Sequence, residues 1–223
     1  MGKLSLNKLI SLEEAAKLFR SGMTVMCGGF GGVGLPYTLV HALAESDATD
    51  LCIVNNDAGR TKARGIAEVL HPGKTAKLIT TYINGNGDVS DMIQKGELQV
   101  ELVPIGTLVE RIRSAGAGLG GVLTPTGVGT AVENGKRVVE VRGRKYLLEE
   151  PLSGDIAIIR ARKADKWGNL YLRRQQKSHN IAMATAAKTV IAQVDELVEV
   201  GELSPDDIDV PCVLVDYMVM TEE

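Results

Sequence analysis

The run Gly28-Gly29-Phe30-Gly31-Gly32-Val33-Gly34-Leu35-Pro36 concentrates glycine as few loops do. Glycine lets a backbone come close to a ligand and take positive φ without a steric penalty. The run leaves the apolar stretch 23–27, which reads as a buried strand, and enters a helical pattern that starts at Pro36 and continues through Leu39, Val40 and Leu43. A strand–loop–helix of this kind offers unpaired N–H groups and the positive end of a helix dipole. It suits phosphate, pyrophosphate or a developing oxyanion. The bland alternative is a tight turn without a ligand, but such a turn rarely needs more than one or two glycines.

Three further groups bear on the chemistry. Gly29, Gly31 and Gly34 form a formal G-x-G-x-x-G, the dinucleotide fingerprint. That fingerprint calls for an acid at the end of the next strand. Here the next apolar run, 51–54, ends in Asn55-Asn56, and Asp57 comes two residues late. Asn55 and Asn56 stand where an open α/β sheet places ligand groups, although asparagine also favours plain strand-end turns. Val132-Glu133-Asn134-Gly135 sets an acid before Asn-Gly, which reads first as a turn. His179 has no evident companion acid or base in the sequence and receives no role.

Composition excludes several classes. Net charge is −3, so a nucleic-acid footprint is not indicated. The three cysteines, Cys27, Cys52 and Cys212, form no CxxC pair and read as thiols in a reducing compartment. The three histidines lack metal-ligand spacing, so no metal is expected. No apolar stretch reaches membrane-spanning length and the first residues do not resemble a signal peptide. A cytoplasmic protein is the expectation.

The elements that must position the loop follow from the hydrophobic pattern. Ser11 and Glu14 form a capping box before a helix with Leu12, Ala15, Ala16 and Phe19 on one face, which Gly22 is placed to end. Beyond residue 54 the pattern predicts a helix over 60–70, a strand over 77–81, a short helix ending at 95, a strand over 98–103 and a helix through Leu108, Val109 and Ile112. A glycine-rich stretch, 116–136, is followed by a hairpin with strands 138–141 and 145–148. Later come strands at 156–159 and 170–172, a helix over 182–187, a strand over 190–194 and a last strand over 213–217. This order predicts an α/β protein: an open, mostly parallel sheet with helices on both faces and an irregular glycine-rich and hairpin insertion, with residues 1–223 as a single domain. Arg111 and Arg113 share a helix and could reach a carboxylate or phosphate, with a solvated face as the default reading.

Gly28-Gly29-Phe30-x-x-x-Gly34-x-Pro36 resembles the first signature of the family I coenzyme A transferases, alpha-subunit type, of the 3-oxoacid and butyrate–acetoacetate enzymes. Similar family stretches are Val54-Asn55-Asn56-Asp57-Ala58-Gly59, Gly106-Thr107-Leu108-x-Glu110-Arg111-Ile112-Arg113, Thr124-Pro125-Thr126-Gly127-x-Gly129-Thr130 and Ala186-Ala187-Lys188-Thr189. The resemblance spans essentially the whole chain.

The resemblance implies a ping-pong reaction in which a glutamate of a beta subunit attacks an acyl-CoA. An anhydride and then an enzyme thioester form before a second carboxylic acid takes the coenzyme A. It implies that this chain supplies no catalytic nucleophile, that Gly28, Gly29, Phe30, Gly31, Gly32, Val33 and Gly34 contact coenzyme A, and that Asn55, Asn56 and Ile105 line the active site. Coenzyme A is a substrate and no cofactor is held permanently. The partner is a beta subunit, in a heterodimer or heterotetramer. Glu133-Asn134-Gly135 mimics the beta subunit's Ser-Glu-Asn-Gly but lacks the serine, so Glu133 reads as a turn residue. Where the family carries Pro-Gln-Gly-Thr this chain reads Pro104-Ile105-Gly106-Thr107, which implies a more apolar pocket and a different acyl preference. A nicotinamide-binding enzyme and a sugar-phosphate isomerase-like protein remain the competing readings.

Overall fold

The computed structural model describes residues 8–221. Its main sheet has eight strands: β1 (Thr24–Cys27), β2 (Leu51–Val54), β3 (Thr75–Thr80), β4 (Gln99–Leu102), β8 (Gly154–Asp165), β9 (Leu170–Tyr171), β10 (Ala187–Val198) and β11 (Tyr217–Met220). They lie in the order β11-β10-β8-β1-β2-β3-β4, all parallel, with the short β9 antiparallel on β8. A small antiparallel sheet of β5 (Val122–Thr124), β7 (Arg144–Glu149) and β6 (Val138–Val141) forms the insertion. At its hairpin Arg142 and Gly143 take φ of 52° and 76°, the left-handed pair that a two-residue turn requires.

The parallel strands are apolar on both faces because both are covered. Val25 and Cys27 face one core and Met26 the other, and in β8 Ile156 and Ile158 alternate in the same way with Ala157 and Ile159. Helices α1 (Leu12–Ala16), α2 (Tyr37–Glu45) and α3 (Gly87–Lys95) contribute to the first core. Helices α4 (Ile105–Gly116) and α5 (His179–Ala186) contribute Leu108, Ile112 and Met183 to the second. The Ser11–Glu14 capping box is present, with both reciprocal hydrogen bonds.

Four expectations need correction. Residues 60–70 hold only a 3-10 turn, Ile66–Val69, because Gly65 at φ 106° interrupts any continuous helix. The first helix ends at Ala16, well before Gly22. The predicted strand at 213–217 is instead a 3-10 turn, Cys212–Leu214, after Pro211; Asp216 exchanges hydrogen bonds with Val190 and the strand follows. Strands β8 and β10 each run to 12 residues, far past the apolar cores at 156–159 and 190–194. Ion pairs bridge their polar halves: Arg160 diagonally to Asp195 at 2.9 Å, and Lys163 to the directly opposite Glu196 at 2.8 Å.

Candidate functional site

The glycine run follows β1, whose neighbours are β2 on one side and β8 on the other. The connections leave in opposite directions there, which is where an open α/β sheet forms a crevice at its strand ends. Residues 30–33 fold as a miniature hairpin. Phe30 N–H donates to the Val33 carbonyl at 2.9 Å and Val33 N–H returns to the Phe30 carbonyl at 3.0 Å. Gly31 and Gly32 form its tip at φ of 56° and 85°, a pair that almost demands glycine.

Long-range bonds hold the hairpin in place. Gly31 N–H donates to Asn56 Oδ1 at 3.1 Å. Asn55 Nδ2 donates to the Cys27 carbonyl at 2.6 Å, while its Oδ1 accepts from Asp57 N–H at 3.1 Å. Both polar atoms of the Asn55 side chain are thus engaged, its nitrogen joining the ends of β1 and β2 and its oxygen closing the turn after β2. Asn56 spends only its oxygen, and among the described residues its Nδ2 has no partner within the chain. At the base, Asn180 on α5 donates to the Gly34 carbonyl at 3.1 Å and the Gln176 carbonyl at 2.8 Å. A Cβ on Gly28 would lie 1.6 Å from Asn180 Oδ1, so Gly28 serves this close approach.

One expectation fails here. The start of α2 does not offer its amides to an anion: Thr38 N–H donates to Gln193 Oε1 at 2.9 Å and Tyr37 N–H to the Leu35 carbonyl at 3.0 Å, in a buried setting. The dinucleotide reading loses the helix terminus it relies on. Within the run, the amides of Gly29, Gly32 and Gly34 make no hydrogen bond among the described residues; Gly29 and Gly32, with Asn56 Nδ2, belong to residues that line a cleft beside the hairpin.

A cleft of about 730 Å³ opens on the β2 side of the hairpin. Gly29, Phe30, Gly31 and Gly32 line it with Asn55, Asn56 and Ile105, so residues far apart in the sequence meet there. Gly28, Val33 and Gly34 do not line it; Val33 and Gly34 border a second cleft on the opposite side. Ile105, Phe30 and Tyr82 are 43%, 44% and 53% exposed and give the cleft an apolar margin. Asp57 also lines it, with Oδ1 accepting from Gly59 N–H at 2.7 Å. Glu133 lies elsewhere, in an exposed turn beside the small sheet, where Oε2 accepts from Gly129 N–H at 2.7 Å.

Burial pushes the Cys27 thiol up to about 12, which removes it as a nucleophile. Burial lowers the pKa of His179, whose ring stacks on Phe30 with centroids 6.3 Å apart and planes 9° apart. Among the described residues, no three His, Cys, Asp or Glu side chains cluster to hold a metal ion. His179, Asn180 and Gln193 are supports that the sequence reading missed. Gln193 is a lone polar residue in the apolar run 190–194, and that is the signal it offered; His179 and Asn180 follow the polar run 173–178 and offered none. Of the two readings of Arg111, the carboxylate partner holds and the solvated face does not: it pairs with Glu101 at 2.6 Å.

The family model for coenzyme A transferase matches residues 9–221. The chain belongs to the coenzyme A transferase family. An acetate CoA-transferase subunit alpha of Escherichia coli K12 is 44% identical over 216 residues, covering 97% of this chain and 98% of that one. An acetoacetyl-CoA:acetate/butyrate CoA transferase alpha subunit of Clostridium acetobutylicum is 41% identical over 213 residues, covering 96% and 97%. Among solved structures, an acyl-CoA transferase from Escherichia coli O157:H7, in a thioester complex with CoA, superposes with a TM-score of 0.84 at 22% identity. That match covers 96% of this chain and 50% of the other, and it supports the fold. Coenzyme A transferases use coenzyme A as a substrate. Neither competing reading, nicotinamide binding or sugar-phosphate isomerisation, finds support in these matches. No helix among the described residues of this transferase chain is long and apolar enough to cross a membrane.

Proposed function

We propose that this chain is the non-nucleophilic subunit of a two-subunit coenzyme A transferase, holding the thioester end of an acyl-CoA in the cleft beside its glycine hairpin. The observation that carries the reading is the meeting of hairpin tip, Asn56 and Ile105 at the end of the central strands. Residues 1–223 then act as one domain. The free thiols of Cys27, Cys52 and Cys212 suit a cytoplasmic setting.

The attacking carboxylate comes from a glutamate of the partner chain. Its oxygen adds to the thioester carbonyl carbon, the carbon–sulfur bond breaks, and the sulfur leaves with the bonding pair as coenzyme A thiolate. The thiolate then attacks the glutamyl carbonyl of the anhydride and releases the first acid. An acceptor carboxylate takes the coenzyme A by the reverse of these steps. Each addition builds an oxyanion, and the Gly29 and Gly32 amides with Asn56 Nδ2 are the donors that can meet it. One such donor contributes about 3 kcal/mol in other acyl-transfer sites.

The names of the two relatives above give acetate, acetoacetyl-CoA and butyrate. For this chain we assign a short-chain acyl-CoA and a carboxylic acid such as acetoacetate. The margin of Ile105, Phe30 and Tyr82 favours an apolar monocarboxylate over succinate as acceptor. The test is thioester exchange between acetoacetyl-CoA and acetate, butyrate or succinate, by the isolated chain and by the chain co-expressed with its partner. Activity should require the partner and should be lowest with succinate. Full-speed exchange by the isolated chain would refute the division of labour, and a clear succinate preference would refute the assigned acid class.

A further inference from the structure

The glycine hairpin has a second side. On the β8 side lies a cleft of about 740 Å³ bordered by Val33 and Gly34 of the hairpin and by Arg160, Arg162, Arg173 and Arg174. Asp195 is the carboxylate among its lining residues. The whole chain carries a net charge of −3, so four guanidinium groups around one cleft are a local concentration and not a reflection of composition.

The arginines are not equivalent. Arg160 is fixed by Asp195, with Nη2 2.9 Å and Nε 3.1 Å from Oδ1. Arg162 reaches the same carboxylate at 3.8 Å and Glu196 at 3.6 Å, and its side chain is 41% exposed. Among the described residues Arg173 and Arg174 have no carboxylate partner, and both are exposed. Arg174 sits at φ 52°, a left-handed conformation that is unfavourable for a side chain of this size. The turn closes around it, with Arg173 N–H donating to Gln176 Oε1 at 2.7 Å and Gln176 N–H to the Arg173 carbonyl at 3.1 Å. Asn180 ties Gly34 and Gln176 together, so the hairpin and the arginine turn form one braced wall.

A cluster of guanidinium groups recognises phosphate oxygens in forked pairs. The acyl-CoA assigned to the first cleft is a long ligand with a reactive thioester at one end and phosphates at the other. Resting on that functional reading, we infer that the arginine cleft receives the phosphate-bearing end of coenzyme A, with Arg162, Arg173 and Arg174 as its ligands. The substrate then straddles the hairpin, thioester on the Asn56 side and phosphates on the arginine side. The hairpin acts as a saddle between the two, which accounts for its bracing from both flanks.

The test uses the assembled two-subunit enzyme. Arg173→Gln and Arg174→Gln, singly and together, are compared with wild type on acetoacetyl-CoA and on acetoacetyl-pantetheine, which lacks every phosphate. The ratio of kcat/KM for the two donors should fall about tenfold or more in the double variant, the scale of a lost charge-assisted hydrogen bond. The fall should be carried by KM for acetoacetyl-CoA. Gel filtration with the partner reports assembly in parallel. An unchanged ratio overturns the inference. So does an equal loss on both donors, or dissociation of the partner, which would make this cleft a docking surface for acidic side chains. A wild-type assembly that moves no coenzyme A overturns the functional reading and this inference together. A wild type that prefers acetoacetyl-CoA, with variants that keep that preference, overturns this inference alone.

Discussion

Two glycine turns of this chain are built differently. The hairpin at 30–33 is held by partners distant in sequence: Asn56, 25 residues from Gly31, and Asn180, 146 residues from Gly34. Those side chains are buried, Asn56 to 6% and Asn180 to 0% exposure. The turn around Glu133 is held by neighbours: Gly129 N–H to Glu133 four residues on, and Thr130 Oγ1 to the Gly127 carbonyl three residues back. It is exposed and stands next to the small sheet. A turn braced from the core can keep hydrogen-bond donors aimed at a ligand without reorganising. A turn closed on itself only has to reverse the chain.

The sharpest way to break this contrast is Gly28→Ala. The added Cβ would sit 1.6 Å from Asn180 Oδ1, inside the brace. Urea unfolding should show a loss of ~3 kcal/mol or more, with activity lost alongside. Gly129→Ala is the matched change in the local turn. Nothing lies within 4 Å of its Cβ, and φ is 75°. Its expected loss is ~1 kcal/mol, the strain of a left-handed side chain. If the two changes cost the same, the brace does not exist as described.

Next in size is Asn56→Ala, which removes both the tether on Gly31 and the free Nδ2. Thioester exchange should fall about a hundredfold in kcat, against a stability loss of ~1 kcal/mol. A stability loss with unchanged kcat would make Asn56 a structural residue alone. A third, smaller effect is a pH dependence at the ring behind the hairpin. Burial lowers the folded pKa of His179, so the unfolded chain binds its proton more readily. Stability is then fully present above the ordinary histidine value of about 6.5 and is lost as pH falls through the lower folded value. His179→Phe, which keeps an aromatic ring against Phe30, should flatten the unfolding curve in that window. An unchanged curve would mean that His179 does not titrate as described. The smallest expected effect is that of Glu133→Gln, which should leave the assembled enzyme's exchange rate unchanged and shift stability by about 0.5 kcal/mol. Loss of exchange in that variant would move the nucleophile into this chain.

The strand–helix alternation and the place of the glycine run were legible because apolar periodicity reports burial directly. The length of β8 and β10 was not, since Arg160, Lys163, Asp195 and Glu196 look like strand ends until the cross-strand pairs are known. The glycines themselves were ambiguous. Gly28 and Gly31 look alike in sequence, yet one accommodates Asn180 and the other forms an open tip tethered to Asn56. Gln193, which occupies the amide of Thr38, lies 155 residues from the helix it caps. That separation is why the start of α2 read as a free anion site. No local pattern marks such a partner.

Hydrogen–deuterium exchange on the assembled enzyme, with and without coenzyme A, tests the central claim most directly. The peptide covering residues 28–34 should exchange more slowly when coenzyme A is bound, while the peptide covering 116–135 keeps its rate. Slowing confined to the second peptide, or none in the first at saturating coenzyme A, would contradict the placement of the substrate at the braced hairpin.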